Sequence, residues 1–181
     1  MPLPSETSVI YDTVTLHHFA AADRFDILRE LHMHRPIPRW VASGKNEVED
    51  GLNHIDSRQR SQLILAQTWF DVPGDADAAE TLELQIAISE PGELQKYKKK
   101  NLGEAEAIVL AKATGAILVT DDNGAYDFAS KAQQLGPGRV FDACQLLDQA
   151  VIDGYIVDGV RWDVHRAVRD ANREMHCKCK F

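Results

Sequence analysis

The chain has 181 residues, of which 44% are hydrophobic and 27% are charged, and its formal net charge is −8 at pH 7. The length predicts one domain with a substantial core, and the composition is ordinary for a soluble globular protein. No apolar run is long enough to cross a bilayer and no signal-peptide pattern is visible, so we expect no membrane-spanning segment. The acidic charge counts against a simple basic nucleic-acid binder.

The cysteines are few. Cys144, Cys177 and Cys179 form a small set that is odd in number. Such a set argues against a disulfide scaffold and for a reducing compartment. Because no targeting segment is visible, we expect a cytoplasmic protein that does not interact with a membrane.

The first predicted strand covers residues 8–11, and Asp12 and Thr13 follow it. Aspartate and threonine are both common N-cap residues, so Asp12 is interpreted either as a helix cap or as a functional carboxylate. The second interpretation gains weight because a strand followed by an aspartate occurs again at Asp121. In a parallel sheet, residues at these positions lie at the carboxyl edge, where ligands bind.

Helices are predicted over 14–22 and 25–32, and an edge strand over 35–41, whose prolines do not suit a central strand. A polar helix then carries Glu47 and Glu49. On local evidence alone, these two glutamates are interpreted as solvated helix residues.

Two further helices are predicted over 59–68 and 78–89, the second in spite of an alternation of apolar residues that would also suit a strand. A dense basic run follows them. Such a run is usually a solvated surface, and beside an acidic metal site it would also contact the phosphates of RNA. The candidate RNA-binding residues are Lys96, Lys98, Lys99 and Lys100.

The most informative stretch begins at residue 101. Residues 104–112 are nearly all strong helix formers, and the apolar run 116–119 suits a buried strand. A helix before a parallel strand runs antiparallel to it, so Glu104 in its first turn reaches the edge where the strand ends. Asp121 and Asp122 follow the strand at that edge. One short segment therefore supplies carboxylates from two elements.

The remaining pattern predicts a helix over 126–135, a strand over 139–141 and a helix over 143–152. From residue 101 onward the order is α-β-α-β-α, with connections short enough for parallel crossovers. Apolar residues of 163–175 fall on one helical stripe, which predicts packing against the domain or against a second subunit.

Four carboxylates are expected at one edge of the sheet: Asp12, Glu104, Asp121 and Asp122. Carboxylates held close together raise one another's pKa unless a cation binds between them. Mg²⁺ and Mn²⁺ suit oxygen ligands of this kind. Such ions activate water and neutralise the charge that develops on a phosphoryl group. The residues therefore indicate metal-dependent hydrolysis of a phosphoester.

Three sequence blocks carry a family resemblance. They are VIYDT at 9–13, LGEAEAI at 102–108 and LVTDD at 118–122. In this order and spacing, they resemble the PIN-domain family of metal-dependent ribonucleases, which includes the VapC-like toxins of toxin–antitoxin pairs. The resemblance implies a three-layer α/β/α domain with a central, mostly parallel sheet over 1–157. A helical extension over 158–181 would follow it.

The resemblance also implies the site: four catalytic acids, a further metal ligand and two supporting threonines. They are Asp12, Glu47, Glu104 and Asp122, then Asp121, then Thr13 and Thr120. Glu49 is the alternative to Glu47, which lies farther beyond the edge strand than the family pattern has it. Glu106 is less suitable, because it points about 200° away from Glu104 around the helix.

The implied function is endoribonuclease activity with Mg²⁺ or Mn²⁺, with RNA as substrate and a protein antitoxin and a second copy of the chain as further partners. Two alternatives stay open. The irregular position of Glu47 favours a catalytically silent PIN-like binding module. A structure-specific DNA nuclease of related fold would use the same metal chemistry, since discrimination of RNA depends on contacts to the 2′-hydroxyl.

Overall fold

The computed structural model of the protein describes residues 3–4, 6–89, 100–131, 134–136 and 138–176. Three parallel strands form its sheet in the order β1-β2-β3. They are β1 (Val9–Tyr11), β2 (Ile117–Val119) and β3 (Val140–Phe141). In register, Ile10 lies beside Leu118, and Leu118 beside Val140. All three strands therefore end at one edge.

Helices surround this small sheet. Those within the described residues are α1 (Thr13–Ala21), α2 (Phe25–His32), α3 (Ala42–Gly51), α4 (Arg58–Leu65), α5 (Ala78–Ile88), α6 (Leu102–Thr114), α7 (Asn123–Ala129), α8 (Ala143–Ile152) and α9 (Asp158–Asp170). The predictions for α2 and α8 are confirmed with their bounds, and the segment over 78–89 is a helix.

The strands separate two hydrophobic cores, because successive residues of a strand face opposite sides of a sheet. On one side, residues such as Tyr11 and Val119 pack against α1, α2, α4, α8 and α9. On the other side, Ile10, Leu118 and Val140 pack against α5 and α6. The predicted α/β/α architecture with a parallel central sheet is confirmed.

The predicted edge strand over 35–41 is reduced to isolated pairings. Tyr11 N donates to Arg39 O at 2.8 Å, and Arg39 N donates to Val9 O at 2.9 Å, so the segment does run beside β1. Pro36 and Pro38 lack an amide hydrogen, which keeps these pairings from extending into a regular ladder. The prediction of a short edge strand over 35–41 is therefore wrong, because only isolated bridges form there.

Two helix boundaries also differ from the predictions. Helix α7 ends at Ala129 instead of residue 135, and it begins at Asn123 because Asp122 caps it. Helix α9 lies over 158–170, five residues earlier than predicted, and Asn172 adopts a positive φ of 54° just after it. The C-terminal stretch after α9 thus turns back towards the domain instead of prolonging the helix.

Helix α9 packs on the same domain core. Val164 and Val168 are buried there, and Met175 packs against it, so these three residues of the predicted apolar stripe contact the domain. Cys144, in the first turn of α8, is disulfide-bonded, a departure from the reduced state expected of so few cysteines. Within the described ranges, none of the helices has the length and apolar character needed to cross a membrane.

Candidate metal centre

Asp12 follows β1, and its backbone occupies the N-cap position of α1, yet its side chain makes no capping hydrogen bond. Its Oδ2 accepts a hydrogen bond from Thr120 Oγ1 at 2.8 Å, and its Oδ1 lies 3.3 Å from Thr13 Oγ1. The residue is only 4% exposed. Asp12 is therefore the N-cap residue by its backbone alone, and its carboxylate instead faces the edge between β1 and β2.

Thr13 connects Asp12 to a carboxylate of another helix. Its Oγ1 lies 2.9 Å from Glu47 Oε2, which brings α3 to the carboxyl edge of the sheet. Glu49, the alternative acid, instead pairs with Lys45 on the exposed surface at 3.1 Å. The structure therefore brings Glu47 to the site and leaves Glu49 in solvent.

Gly103 allows the carboxylate of Glu47 to approach the first turn of α6. A Cβ atom at this position would lie only 3.2 Å from Glu47 Oε1. Glu47 is exposed as a whole residue, whereas its carboxylate is enclosed between Thr13 and Gly103. This role of Gly103 was not predicted, because in the sequence the glycine indicates no more than the start of a helix.

Thr120 connects Asp12 to Asp122. It donates to Asp12 and accepts a hydrogen bond from the backbone N–H of Asp122 at 3.1 Å. One oxygen of Asp122, Oδ1, accepts from Ala125 N at 2.7 Å and so caps α7. Thr13 and Thr120 therefore link Asp12, Glu47 and Asp122, the supporting position expected of both threonines.

Glu104, in the first turn of α6, completes the carboxylate cluster, a term used here for Asp12, Glu47, Glu104 and Asp122. Burial, followed by the negative charges of the three other members, raises the pKa of Glu104 to about 8. Burial also raises the pKa of Asp12 and that of Glu47, with smaller contributions from neighbouring carboxylates. The four acids are thus electrostatically coupled.

No ion pair within the described part of the chain involves a member of the carboxylate cluster. Ionising these groups together is therefore unfavourable until a cation compensates their charge.

Asp121 lies on the other side of the sheet from the cluster. Its Oδ2 is 2.9 Å from His18 Nδ1 and 3.4 Å from Thr15 Oγ1, and its Oδ1 accepts from Ala143 N at 3.2 Å. His176 N donates to the same Oδ1 at 3.2 Å. Both oxygens are therefore occupied, and the structure does not bring the predicted metal ligand Asp121 to the carboxylate cluster.

Strand alternation explains this difference between two adjacent aspartates. Asp121 lies two residues after Val119 and so points to the same side of the sheet, towards α1 and α8. Asp122 lies four residues after Leu118 and so points to the opposite side, towards α6. The two-residue alternation of the strand can be read from the sequence. The two consecutive aspartates nevertheless do not themselves indicate which of them faces the cluster.

Replacing Asp121 with alanine is expected to lower the free energy of unfolding by about 3 kcal/mol, because His18 would lose its buried partner. Asp122→Ala removes a helix cap and is expected to cost about 1 kcal/mol. Urea unfolding of the two variants beside wild type measures both values. Equal decreases would contradict the distinct positions of these neighbours.

The structure also locates Glu106 and one of the candidate RNA-binding lysines. Glu106 accepts hydrogen bonds from Ser43 N at 3.0 Å and Ser43 Oγ at 2.5 Å, so it holds α3 against α6. Of the candidate RNA-binding lysines, Lys100 is exposed in a turn before α6. Lys96, Lys98 and Lys99 lie outside the described residues.

The donor chemistry of the cluster suits Mg²⁺ or Mn²⁺. Its side chains offer only carboxylate oxygens, which hard divalent cations prefer as ligands. Burial and the repulsion of neighbouring carboxylates raise the pKa values of Asp12, Glu47 and Glu104. As placed, however, no three His, Cys, Asp or Glu side chains of the described segments are arranged to hold a metal ion. Metal binding therefore requires these side chains to converge further.

Fold and site together define a parallel α/β/α domain with an acidic cluster at the carboxyl edge of its sheet. A family described as a PIN domain matches residues 8–161. The chain therefore belongs to the PIN-domain family, whose members often have nuclease activity and typically bind divalent metals.

A solved structure supports the same fold. PAE2754 from Pyrobaculum aerophilum aligns with a TM-score of 0.51 over 81% of this chain and 98% of that protein, at 17% sequence identity. At this identity the likeness concerns the fold alone. No curated protein matches the sequence.

Proposed function

We propose that the protein is a Mg²⁺- or Mn²⁺-dependent nuclease that hydrolyses phosphodiester bonds in RNA. The observation that carries this proposal is the carboxylate cluster. Three of its acids are linked by Thr13 and Thr120, and beside them burial and neighbouring charges raise the pKa of Glu104 to about 8. Membership of the PIN-domain family supports the proposal, because nuclease activity is frequent in that family.

Each acid has a distinct position in this proposal. Asp12, Glu104 and Asp122 would hold the metal, and Glu47 would complete the set from α3. A divalent ion supplies activation of water and neutralisation of phosphoryl charge when bound. Thr13 and Thr120 orient the carboxylates of Asp12 and Glu47 through hydrogen bonds, and Thr120 also accepts from the backbone N–H of Asp122, so that less order has to be gained on binding.

The choice of RNA follows the resemblance to ribonucleases, and a protein antitoxin is proposed as a partner on the same ground. A DNA nuclease is the second candidate, since the cluster would serve either backbone. Retention of Glu47 at the site opposes the catalytically silent alternative, which depends on that residue being misplaced.

Cleavage assays test the proposal. Labelled single-stranded RNA, structured RNA and single-stranded DNA are incubated with Mg²⁺, Mn²⁺ or EDTA. We expect cleavage of RNA with either metal and none with EDTA, because the raised pKa values leave the cluster dependent on a cation. Glu49→Gln is the matched control, since Glu49 is on the same helix as Glu47 but in solvent.

Inactive wild-type protein that also binds no Mn²⁺ in calorimetry would overturn the proposal. Faster cleavage of DNA than RNA would establish the second candidate instead.

A further inference from the structure

Three basic side chains come together beside the carboxylate cluster. His17 lies on α1, Arg60 on α4, and Arg173 in the stretch after α9. Residues four apart share one face of a helix, so His17 lies on the face of Thr13, which contacts Glu47. We call this set the basic cluster.

Helix α1, which carries His17, packs against α4, which carries Arg60, and against α9, which Arg173 follows closely in the chain. Burial, then Arg173 and Arg60, lowers the pKa of His17 to about 4. Burial, then Arg60, lowers the pKa of Arg173, against the opposing influence of Asp12 and Asp121. Arg173 is therefore near both the other basic groups and the first acid of the carboxylate cluster.

No carboxylate of the described residues forms an ion pair with a member of the basic cluster. His17 Nδ1, Arg60 Nε and Arg173 Nε are buried without a hydrogen-bond partner. Asp121 is occupied by His18 and two backbone N–H groups. Other arginines in this part of the chain do pair with carboxylates, for example Arg24 with Asp26 at 2.8 Å.

Unpaired and mutually repelling cations are unfavourable in a folded protein unless an anion binds them. Guanidinium groups match phosphate oxygens in geometry as well as in charge. The two arginines cannot coordinate a metal, because arginine offers donors only. Because the basic cluster lies beside the proposed site of phosphodiester cleavage, a phosphate of the nucleic-acid backbone is the anion that its position indicates.

We propose that Arg60, Arg173 and His17 form a subsite that binds a backbone phosphate of the nucleic-acid strand next to the phosphate being cleaved. This inference rests on the proposed nuclease function. The two arginines supply charge and paired N–H donors, and His17 supplies a neutral ring N–H. The subsite provides phosphate contacts at the site itself, in a protein whose net charge is −8.

Binding of a fluorescein-labelled single-stranded RNA of about 12 nucleotides tests the subsite. Fluorescence anisotropy is recorded in EDTA, which stops cleavage, between about 50 and 200 mM salt. The variants are Arg60→Gln, Arg173→Gln and Arg60→Lys. Arg58→Gln is the matched control, because Arg58 lies on the same helix, is exposed, and already donates to Leu52 O at 2.9 Å.

Each glutamine variant of the basic cluster is expected to weaken RNA binding about fivefold to tenfold. The slope of log affinity against log salt should become shallower by about 0.7, the amount that one neutralised phosphate contributes on a single strand. Arg60→Lys should restore that slope, and Arg58→Gln should remain within about twofold of wild type. The same effects with single-stranded DNA would show that the subsite recognises the phosphodiester of either strand.

A structural role for these arginines would give different results. We expect the glutamine variants to unfold at the wild-type Tm or above, because they remove repelling charges, and inorganic phosphate should raise the Tm of wild type more than that of either variant. Affinities and salt slopes equal to those of Arg58→Gln, or a wild type that binds no RNA, would overturn the subsite. If metal-dependent cleavage occurs while these affinities are unchanged, the nuclease proposal stands and the subsite proposal fails. If binding depends on the arginines but no cleavage occurs, the nuclease proposal fails and the subsite proposal stands.

Discussion

Asp12→Asn is expected to reduce metal-dependent RNA cleavage by on the order of 10³-fold. The amide lacks the negative charge that a divalent cation needs from its ligands. Its oxygen can still accept the hydrogen bond from Thr120 Oγ1, so the local structure should persist. Single-turnover cleavage in Mg²⁺ measures the decrease, and the Tm shows whether the variant is folded.

Glu49→Gln, purified in the same way, should cleave at the wild-type rate because its side chain is exposed and pairs only with Lys45. If Asp12→Asn retained most of the wild-type activity while EDTA abolished it, the metal would have to be bound elsewhere.

Glu104→Gln is expected to stabilise the metal-free protein at pH 8 by about 1–3 kcal/mol and to change its stability little at pH 4. The pKa of Glu104 is about 8 in the folded chain, against an ordinary value of 4.5. Between these two values the unfolded chain is ionised and the folded chain still binds the proton. Stability of wild type therefore falls as pH rises through this range, and glutamine removes that decrease.

Urea unfolding in EDTA at pH 4 and pH 8 measures this effect, with Glu49→Gln as the exposed control. Adding Mg²⁺ at pH 8 should stabilise wild type, since the metal competes with the proton, and should do so much less in Glu104→Gln. An equal metal effect in both proteins would show that Glu104 is not a ligand.

Local patterns in the sequence account for much of the fold and part of the site. Three elements each bring a side chain to the carboxyl edge, and the pattern of each element alone predicts this. They are the strand before Asp12, the helix that starts near Glu104 and the strand before Thr120. Such rules operate over a few residues, so they need no knowledge of distant packing. The structure places Asp12, Glu104 and Asp122 in mutual electrostatic contact.

Other parts of the site depend on contacts between distant elements. Glu47 reaches the cluster through Thr13 and the space left by Gly103, and neither contact follows from spacing along the chain. The structure does not bring Asp121 to the cluster, because the alternation of the strand, and not the repeated aspartate, decides the direction of its side chain. The basic cluster joins three separate elements and has no motif at all.

The course of the chain after α9 also affects when the site is completed during synthesis. His176 lies against Tyr126 with ring centroids 4.2 Å apart, and its backbone N–H binds Asp121, so this late segment is fixed beside the carboxyl edge. A ribosome delivers Asp12 long before Arg173, because the two residues lie far apart along the chain. A nascent chain can therefore assemble its acids before its phosphate subsite, and capture of a nucleic-acid strand through that subsite becomes available only once Arg173 has emerged.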